Sequence, residues 1–200
     1  MLISHRMTKD PVTVAPEDSL AAAQAKMNCG GFRRLPVVAH GKLVGIVSDR
    51  DVRPHWGELE HWTVGIAMTR EPKTVAPTTT VEEAASLLLE HKIGGLPVLD
   101  DGHLVGIITI TDMLRAFLDV TGALVKGAAR IDLVLGETGP GLAAAAQFIA
   151  DEGGEILGVG TYRERWDESP VYYVRLRYLD PDRLTGLLKA KGYNVLGVHL

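Results

Sequence analysis

An internal repeat limits the possible folds of this chain more than any other feature. Residues 7–53 align with residues 68–114 without a gap, at a constant shift of 61 positions. The identical pairs fall into three blocks, which run from Met7/Met68 to Pro16/Pro77, from Leu35/Leu96 to Val37/Val98, and from Gly41/Gly102 to Asp51/Asp112. A gap-free register of this length predicts two copies of one small structural unit with two matching surfaces.

Each copy has the sequence pattern of a small α/β unit. Short Thr/Val segments at 12–15 and 73–76 end at a proline and are predicted to be extended. A helix is predicted after each segment, with Ser19 and Thr80 as the N-caps. Two strands joined by a tight turn at a glycine follow, and the chain then enters a second helix.

Composition and charge exclude several classes of protein. The 200-residue chain is 46% hydrophobic and carries a net charge of −4, so it can bury a core but does not attract nucleic acid or anionic lipid at long range. No signal-peptide pattern and no apolar run of about 18 to 20 residues is found, so we expect a cytoplasmic protein. The single cysteine and the scattered histidines lack metal-ligand spacing, which predicts no metal site. No catalytic triad pattern or Walker-type loop is found, and we expect no enzymatic activity.

The strongest chemical signal is a motif that closes each copy, at residues 45–51 and 106–112. It consists of a glycine, two β-branched residues, a hydroxyl residue and an aspartate three residues later. Glycine lets another group approach the backbone, the helix start offers N–H groups to a phosphate, and the carboxylate can accept two hydrogen bonds from a ribose diol. A hydroxyl residue followed three positions later by an acid is also a helix capping box. The motif alone leaves both interpretations open.

Together with the Met-Thr-x-x-Pro opening and the Leu-Pro-Val strand, this motif makes both copies resemble CBS domains. The resemblance covers about the first 120 residues. It implies a Bateman module, in which two CBS domains pack about a pseudo-twofold axis and two clefts between them hold adenosine-containing ligands such as AMP, ADP, ATP or S-adenosylmethionine. It also implies a non-catalytic regulatory protein.

The resemblance assigns roles to individual residues. Asp51 and Asp112 would hold the ribose, while Ser48 and Thr109 would face the phosphate. Further positions in each copy would frame the base or lie beside it. These positions are Thr13, Val14, Arg34, Leu35 and Pro36 in the first copy and Thr74, Val75, Gly95, Leu96 and Pro97 in the second.

The two clefts are expected to differ in charge. The first copy has Arg33, Arg34, Arg50 and Arg53 where the second has Gly94, Gly95, Thr111 and Leu114. Because arginine forks suit phosphate oxygens, we predict that phosphate affinity is concentrated near these four arginines, of which Arg34 and Arg50 are candidate nucleotide-binding residues. Asp49 offsets part of this charge, and a solvated charged face is the alternative interpretation.

A different kind of unit follows a boundary placed at residues 121–127. Its elements are predicted to run βαββαβ from Ala129 to Leu200, which is the ferredoxin-like split motif. This unit resembles an ACT domain, a module that pairs between chains and binds small effectors. The resemblance implies effector binding at the turn before the first helix, at Gly139, Pro140, Gly141 and Leu142. A CBS pair followed by an ACT-like domain is similar to the acetoin utilization proteins.

RNA binding is the alternative function for this second unit, because aromatic residues interleaved with arginine can stack on bases. The residues concerned are Tyr162, Arg163, Arg165, Trp166, Tyr172, Tyr173, Arg175, Arg177 and Tyr178. The first strand has no aromatic residue and the third lacks the Gly-Phe pattern of RNA-binding sheets. A packed dimer interface is therefore the simpler interpretation.

The sequence thus predicts an α/β (α+β) protein with CBS repeats at 1–60 and 61–122 and an ACT-like domain at 128–200. We expect an adenine nucleotide as its regulatory ligand and no catalytic cofactor. The expected partners are a second copy of the chain, bound through the CBS and ACT-like surfaces, and a regulated enzyme. No nucleic acid or membrane partner is expected.

Overall fold

The computed structural model describes residues 1–135, 141–163, 165 and 169–200. They divide into two compact units, Met1–Ala116 and Phe117–Leu200. The first unit contains both copies of the repeat. None of the helices described is both long enough and apolar enough to cross a membrane.

The first unit is built from two three-stranded antiparallel sheets and their flanking helices. Its elements are β1 (Thr8–Lys9), α1 (Leu20–Gly30), β2 (Arg34–Ala39), β3 (Lys42–Ser48), α2 (Asp49–Val52), α3 (Val64–Ala67), β4 (Thr69–Arg70), α4 (Val81–Glu90), β5 (Gly95–Asp100), β6 (His103–Thr109) and the first part of α5 (Ile110–Val120). Helix α5 continues past the end of the first unit at Ala116. Single 3₁₀ turns lie at Ile3–His5 and Arg53–His55. The repeat in the sequence is therefore a repeat of helix, hairpin and helix.

Local chemistry sets the boundaries of these elements as predicted. The Ser19 hydroxyl accepts a hydrogen bond from the N–H of Ala22 at 3.1 Å, and the side chains of Thr80 and Glu83 form a reciprocal capping box. The two hairpins turn at 40–41 and 101–102, where both residues have positive φ values of 46–80°. Such pairs form the type I′ turn that suits the right-handed twist of a hairpin.

The predicted extended segments at 12–15 and 73–76 are shorter than expected. Each makes one isolated parallel bridge, between Val14 and Val37 and between Val75 and Val98. Prolines on both sides of each segment remove donors that a longer ladder would need. The segments therefore lie beside the hairpins without becoming full strands.

The two copies exchange their N-terminal segments, which the sequence analysis missed. Strand β1 pairs with β6 of the second copy, and β4 pairs with β3 of the first copy. Ile3 is buried in the core of the second copy, whereas Val64 and Met68 are buried in the core of the first. A cut between residues 60 and 61 would separate each core from a strand that completes it.

The exchange also shows that the structural repeat begins before Met7. A bridge joins Leu2 to Thr80, and a second bridge joins Thr63 to Ser19. The same shift of 61 positions relates the two bridges. Sequence identity did not extend this far, because Leu2 and Ile3 are replaced by Thr63 and Val64. These residues keep the backbone pairing, and Ile3 and Val64 are both buried.

The second unit is a four-stranded antiparallel sheet packed against two helices. Its elements are β7 (Ala129–Val134), α6 (Leu142–Asp151), β8 (Glu155–Tyr162), β9 (Val171–Arg177), α7 (Pro181–Ala190) and β10 (Asn194–His199), with the strand order β10-β7-β9-β8. The predicted βαββαβ order is the order found. Ile131, Leu133, Ile149 and Leu184 are fully buried in the core of this unit.

Candidate functional site

The aspartate of each closing motif caps the helix that follows it. Oδ2 of Asp51 accepts hydrogen bonds from the N–H and the hydroxyl of Ser48, at 2.8 and 2.7 Å. Oδ2 of Asp112 accepts the equivalent bonds from Thr109, at 2.9 and 2.6 Å. The capping interpretation of the motif is therefore correct in both copies.

Capping leaves half of each carboxylate available. Among the residues that the structure describes, none donates a hydrogen bond to Oδ1 of Asp51 or of Asp112. Both side chains are only partly buried. Because the cap uses one oxygen and a ribose hydroxyl needs another, the capping and ligand interpretations are compatible.

The hydroxyl groups of Ser48 and Thr109 are engaged differently from the expected arrangement. Each donates its hydrogen to the aspartate of its own motif. The hydroxyl oxygen keeps its lone pairs, but a phosphate oxygen needs a donor. A phosphate oxygen at this place therefore requires other donors, such as arginine or backbone N–H groups.

The glycine of each motif was expected to let a ligand approach the backbone. In the structure a protein side chain packs against it instead. A Cβ on Gly45 would lie 2.5 Å from Sδ of Met68, and a Cβ on Gly106 would lie 2.5 Å from Sδ of Met7. The group that approaches each glycine is thus a methionine of the exchanged segment. The repeat therefore contains two equivalent packing pairs, Met68 on Gly45 and Met7 on Gly106, and the two residues of each pair come from different copies.

Arg34 connects the two copies. It begins β2 opposite Ser48, and its side chain crosses to the start of β5. A Cβ on Gly94 would overlap the guanidinium of Arg34, and one on Gly95 would lie 3.2 Å from its Cδ. Because Gly95 pairs with Thr109, the side chain of Arg34 extends from the closing motif of the first copy to the strand that pairs with the closing motif of the second. The glycines of the second copy leave room for it.

The guanidinium of Arg34 is half-buried and unpaired. No residue in the described part of the chain forms a hydrogen bond or ion pair with it. Burial lowers the pKa of Arg34, nearby Asp49 and Asp51 oppose this shift, and Arg50 and Arg33 add to it. Arginine nevertheless stays protonated at neutral pH, so the contact between the copies contains a positive charge.

The remaining predicted residues of the first unit do not all gather at these caps. Leu35 and Leu96 are buried in the two cores, and the carbonyls of Pro36 and Pro97 accept hydrogen bonds from the segments at 12–15 and 73–76. Thr74 and Val75 line a separate groove of about 690 Å³ against α4. Thr109 and Asp112 do not line that groove. Thr13 and Val14 lie at the equivalent place in the first copy, and Arg50 is exposed on α2.

The predicted effector residues of the second unit lie at the edge of the described chain. Gly139 and Pro140 are outside the described residues, as is Trp166 of the aromatic set. Gly141 is the N-cap of α6, and its carbonyl accepts the N–H of Ala145 at 3.0 Å. Leu142 is the first residue of that helix.

The second unit contains a buried ion pair that the sequence analysis missed. Asp132 is 4% exposed and forms two hydrogen bonds with Arg130, at 2.6 and 2.8 Å. The hydroxyl of Tyr162 donates to the same carboxylate at 2.9 Å, and Arg130 lies over the rings of Tyr162 and Tyr173. Two of the aromatic residues considered for RNA stacking are thus engaged within the sheet. The available signal was a pair of opposite charges two positions apart on one strand.

Comparisons with known proteins agree with this architecture. The family model described as CBS domain matches residues 3–55 and 63–119, which is more than half of the chain. Inosine-5'-monophosphate dehydrogenase of Korarchaeum cryptofilum is 39% identical over 128 residues, which are 60% of this chain and 26% of that enzyme. The chain therefore spans about a quarter of that enzyme's length, and the match lies in its CBS region, outside the catalytic domain.

Three solved structures resemble the first unit, and each is matched by a little under 60% of this chain. CBSX2 in complex with AMP is 36% identical with a TM-score of 0.54, over 96% of its length. The CBS domain pair of MJ0100, in complex with 5'-methylthioadenosine and S-adenosyl-L-methionine, is 31% identical with a TM-score of 0.55, over 95% of its length. A Vibrio cholerae protein assigned to acetoin utilization (AcuB) is 31% identical with a TM-score of 0.54, over 90% of its length.

Proposed function

The chain belongs to the CBS domain family, and from this premise we propose that it is a regulatory protein that binds an adenine nucleotide where its two copies meet. Two relatives were solved with adenosine compounds, one with AMP and one with 5'-methylthioadenosine and S-adenosyl-L-methionine. Adenosine is the part that these ligands share. The ribose diol is therefore the group that we assign to the free Oδ1 atoms of Asp51 and Asp112.

The unpaired guanidinium of Arg34 is the observation that carries this proposal. A half-buried cation without a partner is unfavourable, and an anion that pairs with it recovers the lost hydration energy. Asp51 is one of the charges near Arg34, and Gly95, which the Arg34 side chain contacts, pairs with the residue that Asp112 binds. A phosphate at Arg34 therefore brings the attached ribose toward the closing motifs. Arg50 and the backbone at residues 13–14, 35–36, 74–75 and 95–97 complete the proposed surroundings.

The position of Arg34 also suggests how binding is transmitted. Because this side chain reaches from one copy to the other, a ligand that pairs with it favours the arrangement in which the copies are in contact. The effect is a population shift, limited by the ligand's preference for one arrangement, typically about 1 to 3 kcal/mol. The readout that we propose is a homodimer in the cytoplasm, whose ACT-like second unit relays the shift to a partner enzyme or takes an effector at residues 139–142.

Isothermal titration calorimetry with AMP, ADP, ATP and S-adenosylmethionine tests the binding proposal. If a charge-assisted hydrogen bond contributes about 1.5 to 3 kcal/mol, Arg34→Ala lowers phosphate-nucleotide affinity by about tenfold or more. Arg183→Ala is the control, because Arg183 is exposed on α7 of the second unit. Equal affinity in the wild type and Arg34→Ala would remove the basis of the proposed site.

A further inference from the structure

The contacts between the two copies show that an approximate twofold axis relates them. Met7 packs on Gly106 while Met68 packs on Gly45, and the shift of 61 positions converts one pair into the other. The pairing of β1 with β6 and of β4 with β3 is reciprocal in the same way. Reciprocal contacts are the property of a twofold arrangement, because a head-to-tail arrangement would use a different surface on each copy.

The side chain of Arg34 lies beside this axis. Its equivalent in the second copy is Gly95, and a Cβ on Gly95 would lie 3.2 Å from Cδ of Arg34. A residue that contacts its own equivalent across a twofold arrangement lies next to the axis. The equivalent strands β3 and β6 also contact each other. The axis therefore passes the starts of β2 and β5, where Arg34 and Gly95 are the first residues.

A place beside the axis has room for only one long side chain. A Cβ on Gly94 would overlap the guanidinium of Arg34, and Gly95 is buried. An arginine at position 95 would therefore meet the stem of Arg34 and bring two like charges together. This conflict explains why the repeat departs from identity here, with arginines at 33 and 34 and glycines at 94 and 95.

Arg34 is in contact with one copy and electrostatically close to the other. Its guanidinium lies against Gly94 of the second copy. The charged side chains near it belong to the first copy and are Asp49, Asp51, Arg33 and Arg50. The second copy has no cation at the positions equivalent to the arginines of the first. A phosphate bound near either closing motif thus has the same guanidinium as its axial partner.

On the basis of the nucleotide function proposed above, we propose that the two closing motifs are half-sites that share Arg34, so that one chain binds one phosphorylated nucleotide at a time. The axis relates Asp51 to Asp112, which places the two ribose acceptors symmetrically about it. One guanidinium can pair with a phosphate at either motif but not with two phosphates at once. A nucleotide at one motif therefore weakens binding at the other, which is negative coupling between the half-sites. Arg33 and Arg50 favour the first motif for the nucleotide that binds first.

Calorimetry and native mass spectrometry of the full chain with AMP count the bound ligands. We expect one AMP per chain, with a second AMP binding at least about tenfold more weakly because it lacks a charge-assisted hydrogen bond. Two AMP molecules of equal affinity per chain, together with weaker binding in Arg34→Gly, would overturn the sharing and leave the proposed function standing. Absence of AMP binding, or equal affinity in the wild type and Arg34→Gly, would contradict the proposed function itself.

An exchange of the two axial residues tests the position of the cation. The group closest to a Cβ at position 95 is Arg34 itself, so Arg34→Gly combined with Gly95→Arg removes the obstacle and returns a guanidinium to the axis from the other copy. We expect this double variant to bind one AMP with an affinity within about threefold of the wild type. The AMP count on the wild type needs no variant and decides the proposal even if the exchanged chain does not fold.

Arg34→Gly combined with His103→Arg is the matched control. His103 is exposed and pairs with Asp100 at the opposite end of the β5–β6 hairpin from Gly95, and this double variant has the same formal net charge as the exchanged one. It is expected to bind AMP as weakly as Arg34→Gly alone. Recovery of AMP affinity in both folded double variants, or in neither, would show that the guanidinium does not act from the axis.

Discussion

At the residue scale, the closing motif of each copy has two separable functions. The glycine is required because a methionine from the other copy packs against it, and the aspartate is required because it caps a helix. Neither requirement involves a ligand, so the motif is explained by folding before any binding is considered. Two features have no role in these contacts: Oδ1 of each aspartate and the unpaired guanidinium of Arg34.

Because Oδ1 of Asp51 and of Asp112 is not used by the cap, we predict that the two aspartates contribute both to folding stability and to nucleotide binding. Asp51→Ala and Asp112→Ala are each expected to cost about 1 kcal/mol of unfolding free energy through loss of a cap. The variant that removes the proposed ribose contact is expected, in addition, to bind the nucleotide about tenfold or more weakly. Asp180→Ala is the control, because Asp180 caps α7 in the second unit and its loss leaves nucleotide affinity unchanged. Urea unfolding and calorimetry give the two quantities, and unchanged affinity in both aspartate variants would return the motif to capping alone.

The methionine contacts predict that replacing either motif glycine with alanine destabilises the first unit. Gly45→Ala and Gly106→Ala place a Cβ 2.5 Å from a methionine sulfur and 3.0 Å from a backbone carbonyl oxygen. Overpacking of this kind costs about 1 to 3 kcal/mol, measured by urea unfolding. Gly186→Ala, in an exposed part of α7 with nothing within 4 Å of the new Cβ, is expected instead to stabilise its unit by up to about 1 kcal/mol. Neutral substitutions at both 45 and 106 would contradict the packing argument.

At the element scale, short strands determine how the copies depend on each other. Strands β1 and β4 are two residues long, too short to be stable alone, yet each completes the sheet of the copy that it does not belong to. The buried side chains beside them, Ile3 and Val64, are equivalent in the repeat. Each hydrophobic core is therefore complete only when both copies are folded.

This exchange predicts a long-range effect of the N-terminal segment. Ile3→Ala removes a fully buried side chain from the core of the second copy and is expected to cost about 2 to 5 kcal/mol. Hydrogen exchange should then accelerate first in β5 and β6, about 100 residues away in sequence. Leu2→Ala, at a side chain 38% exposed, serves as the control. Acceleration confined to the first copy would contradict the exchanged pairing.

The ion pair on β7 predicts a pH dependence in the second unit. Burial raises the pKa of Asp132, but the hydrogen bonds from Arg130 and Tyr162 outweigh it, so the net pKa lies below the ordinary value of 3.8. A lowered folded-state pKa contributes stability above the unfolded pKa, and this contribution is lost as the pH falls through the folded value. Asp132→Asn is therefore expected to cost about 2 kcal/mol at neutral pH, with the difference shrinking below about pH 4.

Thermal unfolding of Asp132→Asn across this pH range measures the effect. Asp182→Asn is the control, since Asp182 is exposed in the first turn of α7 and its neutralisation costs at most about 1 kcal/mol. A cost for Asp132→Asn that stays constant between neutral pH and pH 2 would exclude the ion pair as its cause.

At the scale of the whole molecule, the two compact units have separate cores. The first unit contains the unpaired Arg34, the two capping aspartates and the groove beside α4. Ligands that bind there stabilise the first unit directly, and an effect on the second unit has to be transmitted. This separation lets binding and signalling be measured independently on one chain.

The separation predicts how a nucleotide changes unfolding of the full chain. At a free nucleotide concentration of 100 Kd, the unfolding free energy of the first unit is expected to rise by about 2.7 kcal/mol. Hydrogen exchange reports the two units separately, with slower exchange expected in β2–β3 and β5–β6. With tenfold lower affinity, Arg34→Ala should show only about 1.4 kcal/mol of this stabilisation at the same nucleotide concentration. Protection confined to the second unit would contradict a ligand site at Arg34.

The sequence alone was sufficient for the order of the longer helices and the hairpin strands, but not for β1, α3 and β4. Repeated caps, prolines and positive-φ turns act over a few residues, so Ser19, Thr80 and the hairpin glycines specify the helices and hairpins of each copy, and alternation along β7 and β9 specifies strands of the second unit. The capping function of Asp51 and Asp112 was also predictable, because its partners lie three positions away.

Only the tertiary structure decided which segments meet. Several contacts join residues of different elements. They are the pairing of β1 with β6, the packing of Met7 on Gly106, the contact of Arg34 with Gly94, and the hydrogen bond from Lys26 to the carbonyl of Thr13. Such contacts depend on how two equivalent units pack, and identical sequence patterns do not specify whether a segment completes its own copy or the other one. Exchange is decided by the burial of both cores together, a property that no local sequence pattern contains.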